Sequence, residues 1–202
     1  MDALLRFART IDAMNDRFGV IANWMVLLSC LLSAGNAAVR YGINEFLSLG
    51  AEFPWLHGLT TGVGWYGNHA NAFLEAQWYM FTALVLLGGP YTLKVNEHVR
   101  VDLFYGMVSD RVRIWIDILG AILFLLPICV ILIWFTWPWF IESWNIDEQS
   151  NNAGGLVRWP VKLLLPIGFA LMALQGISEL IKRIAALTGS YKLEYAYEKP
   201  LQ

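Results

Sequence analysis

The sequence predicts an all-α integral membrane protein with four transmembrane helices. Four long apolar segments recur along the 202 residues, 57% of the residues are hydrophobic, and only 15% are charged. A bilayer core about 30 Å thick requires about 20 apolar helical residues, so segments of this length suffice to cross it. A typical soluble domain carries roughly 25% charged residues. We therefore expect one membrane domain, residues 1–202. The sequence contains no basic tract, so we expect no nucleic-acid partner.

The predicted spans follow the largely uncharged stretches of the chain. They comprise residues 18–39, 76–95, 117–141 and 159–181. The fourth span includes Lys162, whose long side chain can direct its ammonium to the membrane interface. Residues 40–75 form a long loop that is rich in glycine and aromatic residues. Because a free polar linker has a different composition, we expect this loop to lie on the outer membrane surface or on a neighbouring subunit.

The distribution of positive charge predicts that both termini are cytoplasmic. Most of the 14 Lys and Arg residues fall in the N-terminal tail, the second loop and the C-terminal tail. The long first loop contains only Arg40. The positive-inside rule places the segments rich in Lys and Arg in the cytoplasm, which leaves residues 40–75 on the outer side.

Residues 3–18 predict an additional amphipathic helix before the first span. Apolar side chains recur there at steps of three and four, which aligns them on one helical face: Leu4, Phe7, Ile11, Met14 and Phe18. We interpret this segment as a helix that lies in the cytoplasmic membrane interface. The alternative is an inward extension of the first span that packs on other protein.

The span interiors carry no side chain suited to catalysis or ion conduction. Asp, Glu, Lys, Arg and His are absent from the inner third of every predicted span, and the three histidines lie in loops. Ionisable groups at that depth are costly and mark ion or proton pathways. We therefore expect no catalytic residue, no metal site and no cofactor in this chain. The lack of histidines in the spans also disfavours a haem-binding anchor.

Small and polar residues of the first two spans predict contacts between helices. Ser29 and Ser33 have the spacing that lets two membrane helices approach closely, and Asn36 can hydrogen-bond across an interface. Gly88 begins a Gly-Gly-Pro string, which is expected to kink or end the second span. These residues serve either packing within the four-helix unit or a face for another protein.

The most specific short string follows the second span and reads Glu97-His98-Val99-Arg100-Val101-Asp102. In an extended segment, His98, Arg100 and Asp102 share one side. Asp102 is placed to cap a following helix, and Arg100 is placed to pair with a lipid phosphate. A contact with a partner protein is equally consistent with these residues.

This string, with Gly88 before it, closely resembles the small membrane subunit of tripartite ATP-independent periplasmic (TRAP) transporters. Further matches are Arg40 and Tyr41 just after the first span, and Glu75 and Trp78 at the start of the second. The resemblance covers nearly the whole chain.

The resemblance implies a place in the bacterial inner membrane, in a sodium-coupled importer of organic acids. In such transporters a soluble periplasmic protein delivers the substrate, and a large elevator-type subunit carries it inward with sodium. The small subunit is implied to be a non-catalytic scaffold for the large one. Its motif residues then contact the partner or lipid: His98, Arg100, Asp102, Arg40, Tyr41, Glu75 and Trp78.

Two other functions stay open from the residues alone. One is a self-oligomerising channel or small transporter whose pore would be lined by Asn36, Gln77, Thr82 and Gln175. The other is a membrane anchor of a respiratory enzyme.

Overall fold

The computed structural model describes residues 1–53, 57–98 and 105–193, and only the backbone of residues 43, 44, 46, 47, 49–51, 57, 59, 60, 63 and 68. The described part is helical and contains no strand. In chain order the helices are α1 (Asp2–Glu52), α2 (His57–Asn68), α3 (Ala70–Val95), α4 (Asp110–Gly120), α5 (Leu126–Asn145) and α6 (Trp159–Leu187). A π-helical turn, Ala121–Leu125, joins α4 to α5.

Four helical stretches of the described chain are long and apolar enough to cross a membrane: Asp2–Gly42, Ala70–Val95, Asp110–Asn145 and Trp159–Leu187. The predicted all-helical class and the presence of four candidate spans are therefore confirmed. Each stretch contains one of the spans read from the sequence.

The first helix is longer than the sequence suggested. α1 has 51 residues, which corresponds to about 77 Å at 1.5 Å per residue. Residues 3–18 form its first turns, whereas a separate helix was expected there. An uninterrupted helix is reasonable, because no Gly-rich or Pro-containing break occurs in this part of the sequence.

The face of α1 that packs on protein includes part of the expected apolar stripe, since Ile11 is buried and Met14 and Phe18 pack against the apolar core. Leu5, Ala8 and Ile11 are buried, whereas Leu4 and Phe7 are 52% and 49% exposed. The buried face continues through further residues at helical spacing, namely Asn15, Gly19 and Ala22. Residues 3–18 are therefore continuous with the first span, and their buried face packs on other helices of this chain.

The expected loop 40–75 is helical over most of its described length. α1 continues to Glu52, α2 follows, and one turn at His69 leads into α3. The connection expected between the first two spans is thus largely helical in its described part. Trp65 stacks on His69 at a ring distance of 4.5 Å, and Tyr66 stacks on Phe73 at 4.2 Å. Because α2 packs against α1, residues 40–52 and 57–68 form two packed helical segments.

Helix α6 is the centre of the bundle. It contacts α1, α3, α4 and α5. Of the residues in its most apolar part, 33% are buried, against 11% for the stretch Asp110–Asn145. A small apolar core joins the helices and consists of Ala22, Ala83, Leu87 and Leu171. The α4–α5 stretch therefore exposes most of its surface to lipid or to a partner.

Glycines allow close approach where α3 crosses its neighbours. A Cβ at Gly168 of α6 would lie 2.6 Å from the Cβ of Leu86, and a Cβ at Gly88 would lie 3.3 Å from that of Ala22. α3 continues past Gly88 and through Pro90 to Val95. Of the two outcomes expected at this string, a kink or an end of the helix, the helix does not end there. A proline removes only one helical hydrogen bond, and tight packing on two helices holds the rest.

The π-helical turn accommodates a proline in the third span. Pro127 lacks the N–H that would bond to the carbonyl of Leu123. Directly before it, the N–H of Leu126 bonds to the carbonyl of Ala121, five residues earlier. The wider turn lets the helix continue across Pro127 as a single stretch from Asp110 to Asn145.

Candidate functional site: polar clusters at the ends of the bundle

A polar face of α6 forms the first cluster. Gln175, Ser178, Glu179 and Lys182 are all buried and are spaced by three or four residues, so they lie on one side of the helix. Buried polar groups are costly unless they are hydrogen-bonded. The partners of these side chains outside α6 come from the beginning of α1, and Arg183 adds a contact with Asp117 of α4. We call the whole group the inner cluster.

The amide pair at its centre joins the first helix to the last. Asn15 donates from Nδ2 to Oε1 of Gln175 at 2.7 Å. Gln175 donates in turn from Nε2 to Asp12 at 3.0 Å and to Glu179 at 3.2 Å. Because ionised carboxylates only accept, they fix the orientation of the Gln175 amide and then of Asn15. Oδ1 of Asn15 is left buried without a partner among the described residues.

Asp12 is the main acceptor of the inner cluster. Its carboxylate lies 2.8 Å from the Ser178 hydroxyl and 3.1 Å from Nζ of Lys182. Lys182 also pairs with Glu179. Charge-assisted hydrogen bonds of this kind are stronger than neutral ones. The contacts therefore hold the N-terminal turns of α1 on the C-terminal turns of α6.

An ion-pair chain extends the inner cluster to α4. Arg183 donates from Nε to Asp117 at 3.0 Å and pairs through Nη1 with Glu179. The Tyr105 hydroxyl donates to the same Asp117 carboxylate at 2.9 Å. A separate pair, Lys94 Nζ to Asp16 Oδ1 at 2.6 Å, ties α3 to α1. All four membrane helices are thus connected by charged groups at this end.

Glu75 organises the second cluster, at the opposite end of the bundle. Its buried carboxylate accepts from the Ser150 hydroxyl, from Nδ2 of Asn152 at 2.9 Å and from the N–H of Leu156 at 2.6 Å. These donors all belong to the connection between α5 and α6. Gly155 is required there, since a Cβ would lie 2.7 Å from the Glu75 carboxylate. We call this group the outer cluster.

Lys162 ties the same connection to the start of α6. It is buried, pairs with Glu148 and places Nζ 4.3 Å from the ring centre of Trp139. The hydrogen bond from Lys162 and the charge of Arg158 hold the pKa of Glu148 below its ordinary value. Lys162 was expected to reach the membrane interface, and in the structure it is used inside the protein.

The predicted contact residues are placed differently from one another. Glu75 lies in the outer cluster, while Trp78, one turn along α3, packs edge-on against Tyr79 at 4.3 Å. Arg40 is exposed and Tyr41 is 87% exposed. The structure therefore does not bring Arg40 and Tyr41 into the same cluster as Glu75.

The predicted packing residues lie along α1 and α3. Ser29 and Asn36 are buried, Ser33 is half-buried, and the Ser29 hydroxyl donates to the carbonyl of Val26 at 2.9 Å. Gly88 faces Ala22 of α1, as described above. These four residues belong to the inward side of the bundle.

Only part of the His98–Asp102 string is described. His98 is exposed and lines a groove of about 610 Å³ beside Gly19, Gly88 and Thr92. Arg100 and Asp102 lie outside the described residues. Within the described ranges, no group of three or more His, Cys, Asp and Glu residues is arranged to hold a metal ion.

Most members of the inner cluster were not predicted from the sequence: Asp12, Asn15, Asp117, Glu179, Lys182 and Arg183. A usable signal was present in the polar spacing of 175, 178, 179 and 182, which marks a polar face on an otherwise apolar helix. Their partners on α1 are about 160 to 170 positions away, so no local pattern identifies them.

The helices and clusters define a four-helix membrane protein whose charged groups bind its own helices together. A family model described as "Tripartite ATP-independent periplasmic transporters, DctQ component" matches residues 73–186, more than half of the chain. The chain belongs to this family and is a small permease component of a TRAP transporter. The matched part runs from α3 to the end of α6 and leaves α1 and α2 outside. No curated protein and no solved structure matches the sequence.

Proposed function

We propose that this chain is the non-catalytic scaffold subunit of a sodium-coupled, binding-protein-dependent importer of organic acids in the bacterial inner membrane. Its partners are the large elevator-type permease and the periplasmic substrate-binding protein, and both of its termini are cytoplasmic. Sodium and substrate bind to the large subunit. One observation carries the proposal. Paired charges lie at both ends of the bundle, and the helices between those ends are apolar.

The middle of the bundle supports a structural role. Between Lys162 and Gln175, α6 carries only apolar residues over 12 positions, 163–174, which is about 18 Å of helix. An ion or carboxylate that crossed this layer would lack polar partners from the central helix. A desolvated charge is strongly unfavourable in such surroundings.

The two clusters would give the helices the resistance to tilting that a scaffold requires. An elevator-type permease moves one part of the molecule against a fixed part, and the fixed part must keep its position. The inner cluster joins α6 to α1 and α4, and the outer cluster fastens the α5–α6 connection to α3. Cross-links at both ends oppose sliding and tilting of the helices.

The exposed surface supports a partner in the membrane. The stretch Asp110–Asn145 has an apolar exterior, with Trp134 and Phe135 77% and 70% exposed. We propose that the large subunit covers part of this exterior and that the His98–Asp102 string contributes to the same contact. The remaining exterior faces lipid.

The experiment is purification of the chain from its native membrane together with whatever it binds, followed by single substitutions Asn36→Leu and Gln175→Leu. We expect the large permease to co-purify, and we expect the substitutions to reduce the yield of the complex, because both side chains are buried between helices. Asn151→Leu is the control, since Asn151 is an exposed polar residue of the connection between α5 and α6. Loss of flux with full assembly in both variants would instead indicate a pore in this chain.

A further inference from the structure

The charges of the N-terminal half of α1 are sorted by sign. Asp12 faces α6 and pairs with Lys182, and Asp16 pairs with Lys94 of α3. Arg6, Arg9 and Arg17 are exposed, and none of the three makes an ion pair with a described residue. Asp12 and Asp16 are thus paired with lysines of the bundle, whereas the three arginines are directed outward.

The arginines lie on one line of the helix surface. Positions 6, 9, 13 and 17 follow at steps of three and four, which keeps them on one side of an α-helix. Arg9 and Arg17 are about 12 Å apart along the axis. Ala13 lies between them, is exposed and has a small side chain, so it leaves room for a group that both guanidinium groups can reach.

The same line continues as an apolar surface. Val20, Trp24 and Leu31 are 57%, 57% and 61% exposed and extend the spacing of the arginines along α1. Arg17 to Leu31 spans about 21 Å, somewhat more than half of a hydrocarbon core about 30 Å thick. A charged end followed by a long apolar surface has the dimensions of one phospholipid leaflet.

We propose that this line of α1, residues 6–31, binds an anionic phospholipid, with its phosphate between Arg9 and Arg17 and its acyl chains along Val20, Trp24 and Leu31. Guanidinium groups bind phosphate through two hydrogen bonds each. Helical side chains point toward the N-terminus, so Arg17 extends out of the hydrocarbon toward the phosphate. Arg6 adds positive charge, which the exposed Asp2, one turn earlier, partly offsets.

An acidic surface of the large subunit is the competing occupant. The lipid is favoured because charge and apolar surface follow each other along one helix that is long enough to cross the membrane. A bound lipid requires both features in that order. An acidic protein surface would require only the arginines.

The test uses the purified complex in nanodiscs and the fluorescence of Trp24, taken as the difference between the natural chain and Trp24→Phe. Brominated phosphatidylglycerol and brominated phosphatidylcholine serve as quenching lipids. Each positive charge near an anionic surface favours binding by roughly five-fold. For the two arginines we therefore expect quenching by phosphatidylglycerol at roughly 25-fold lower lipid fraction than by phosphatidylcholine. The preference should fall when the salt concentration is raised.

The double variant Arg9→Gln/Arg17→Gln should abolish this preference while quenching by phosphatidylcholine stays unchanged, which also shows that Trp24 remains in the bilayer. Arg9→Lys/Arg17→Lys should keep part of it, and Arg111→Gln, an exposed arginine of α4, should keep all of it. The proposal is overturned if the double variant retains the preference. It is also overturned if neither lipid quenches Trp24 and the double variant releases the large subunit, since a protein surface then covers the line.

Discussion

Asn15 and Gln175 form a buried side-chain hydrogen bond of 2.7 Å between the first and the last membrane helix. The pair is completely buried, and its orientation is determined by Asp12 and Glu179, which accept from the other side of the Gln175 amide. The Gln175 amide therefore links the carboxylates of Asp12 and Glu179 to Asn15 of α1. This relationship makes the inner cluster a single unit, in which each change has consequences for the others.

Gln175→Leu should destabilise the protein by about 1–3 kcal/mol, because it leaves the Asn15 amide and part of the Asp12 carboxylate buried without donors or acceptors. The measurement is the thermal unfolding midpoint of the purified complex in detergent. The double variant Asn15→Leu/Gln175→Leu should recover part of the loss, since both amides are then removed. A single variant as stable as the natural protein would show that this hydrogen bond contributes little.

Glu75→Ala should release the connection between α5 and α6. Three donors lose their acceptor at once, and hydrogen bonds to charged groups contribute about 1.5–3 kcal/mol each when measured singly. We expect faster hydrogen exchange of the Leu156 amide, measured by mass spectrometry. Glu142→Ala is the control, since Glu142 is an exposed carboxylate on α5. Equal exchange in both variants would contradict a fastening role for Glu75.

Gly168→Ala should separate α3 from α6. The added Cβ would lie 2.6 Å from the Cβ of Leu86 and 3.0 Å from its carbonyl oxygen, and overpacking of this kind costs about 1–3 kcal/mol. Gly120→Ala is a matched control, because nothing lies within 4 Å of its added Cβ. The control should leave the unfolding midpoint unchanged or raise it, whereas Gly168→Ala should lower it.

The pairing of Glu148 with Lys162 should make the outer cluster sensitive to acid. The pKa of Glu148 is lowered from its ordinary value of 4.5, so its contribution to stability is fully present above that pH and is lost as the pH falls through the lower folded-state value. Between about pH 7 and about pH 3.5, the unfolding midpoint of the natural protein should fall more than that of Glu148→Gln. Parallel pH profiles would argue against this pair.

Arg100→Ala and Asp102→Ala should each weaken assembly with the large subunit by roughly 30-fold or more, or slow uptake, since loss of one charged partner at a contact costs about 2 kcal/mol or more. Substrate preference should stay the same, because in the proposed function the substrate binds to the large subunit. Competition assays with several organic acids measure that preference. A change in the order of preferred substrates would place these residues at the substrate path.

The spans and the family could be recognised from the sequence for direct physical reasons. A helix in lipid must be apolar over most of its length, so the four stretches are visible without any tertiary information. Glu75 was named because it matches the resemblance to the TRAP small subunit, and its buried carboxylate holds the donors of the outer cluster.

The remaining features depend on contacts between distant residues. Leu4 and Phe7 fit an apolar stripe by spacing, yet they are exposed. The packed face of α1 is the one that contacts Ser178 and Lys182 of α6. Lys162 fits the pattern of a residue that extends to the interface, but Glu148 accepts its charge within the protein. Side-chain spacing gives the surface on which a residue lies, and it does not give the partner.

The central claim is that this chain stabilises a transporter and carries no substrate itself. Sodium-driven uptake of radiolabelled organic acids into proteoliposomes tests it most directly, with this chain alone, with the large subunit alone and with both. We predict no saturable uptake by this chain alone, weak or unstable uptake by the large subunit alone, and full uptake by the two together with the binding protein. Saturable uptake by this chain alone would contradict the account.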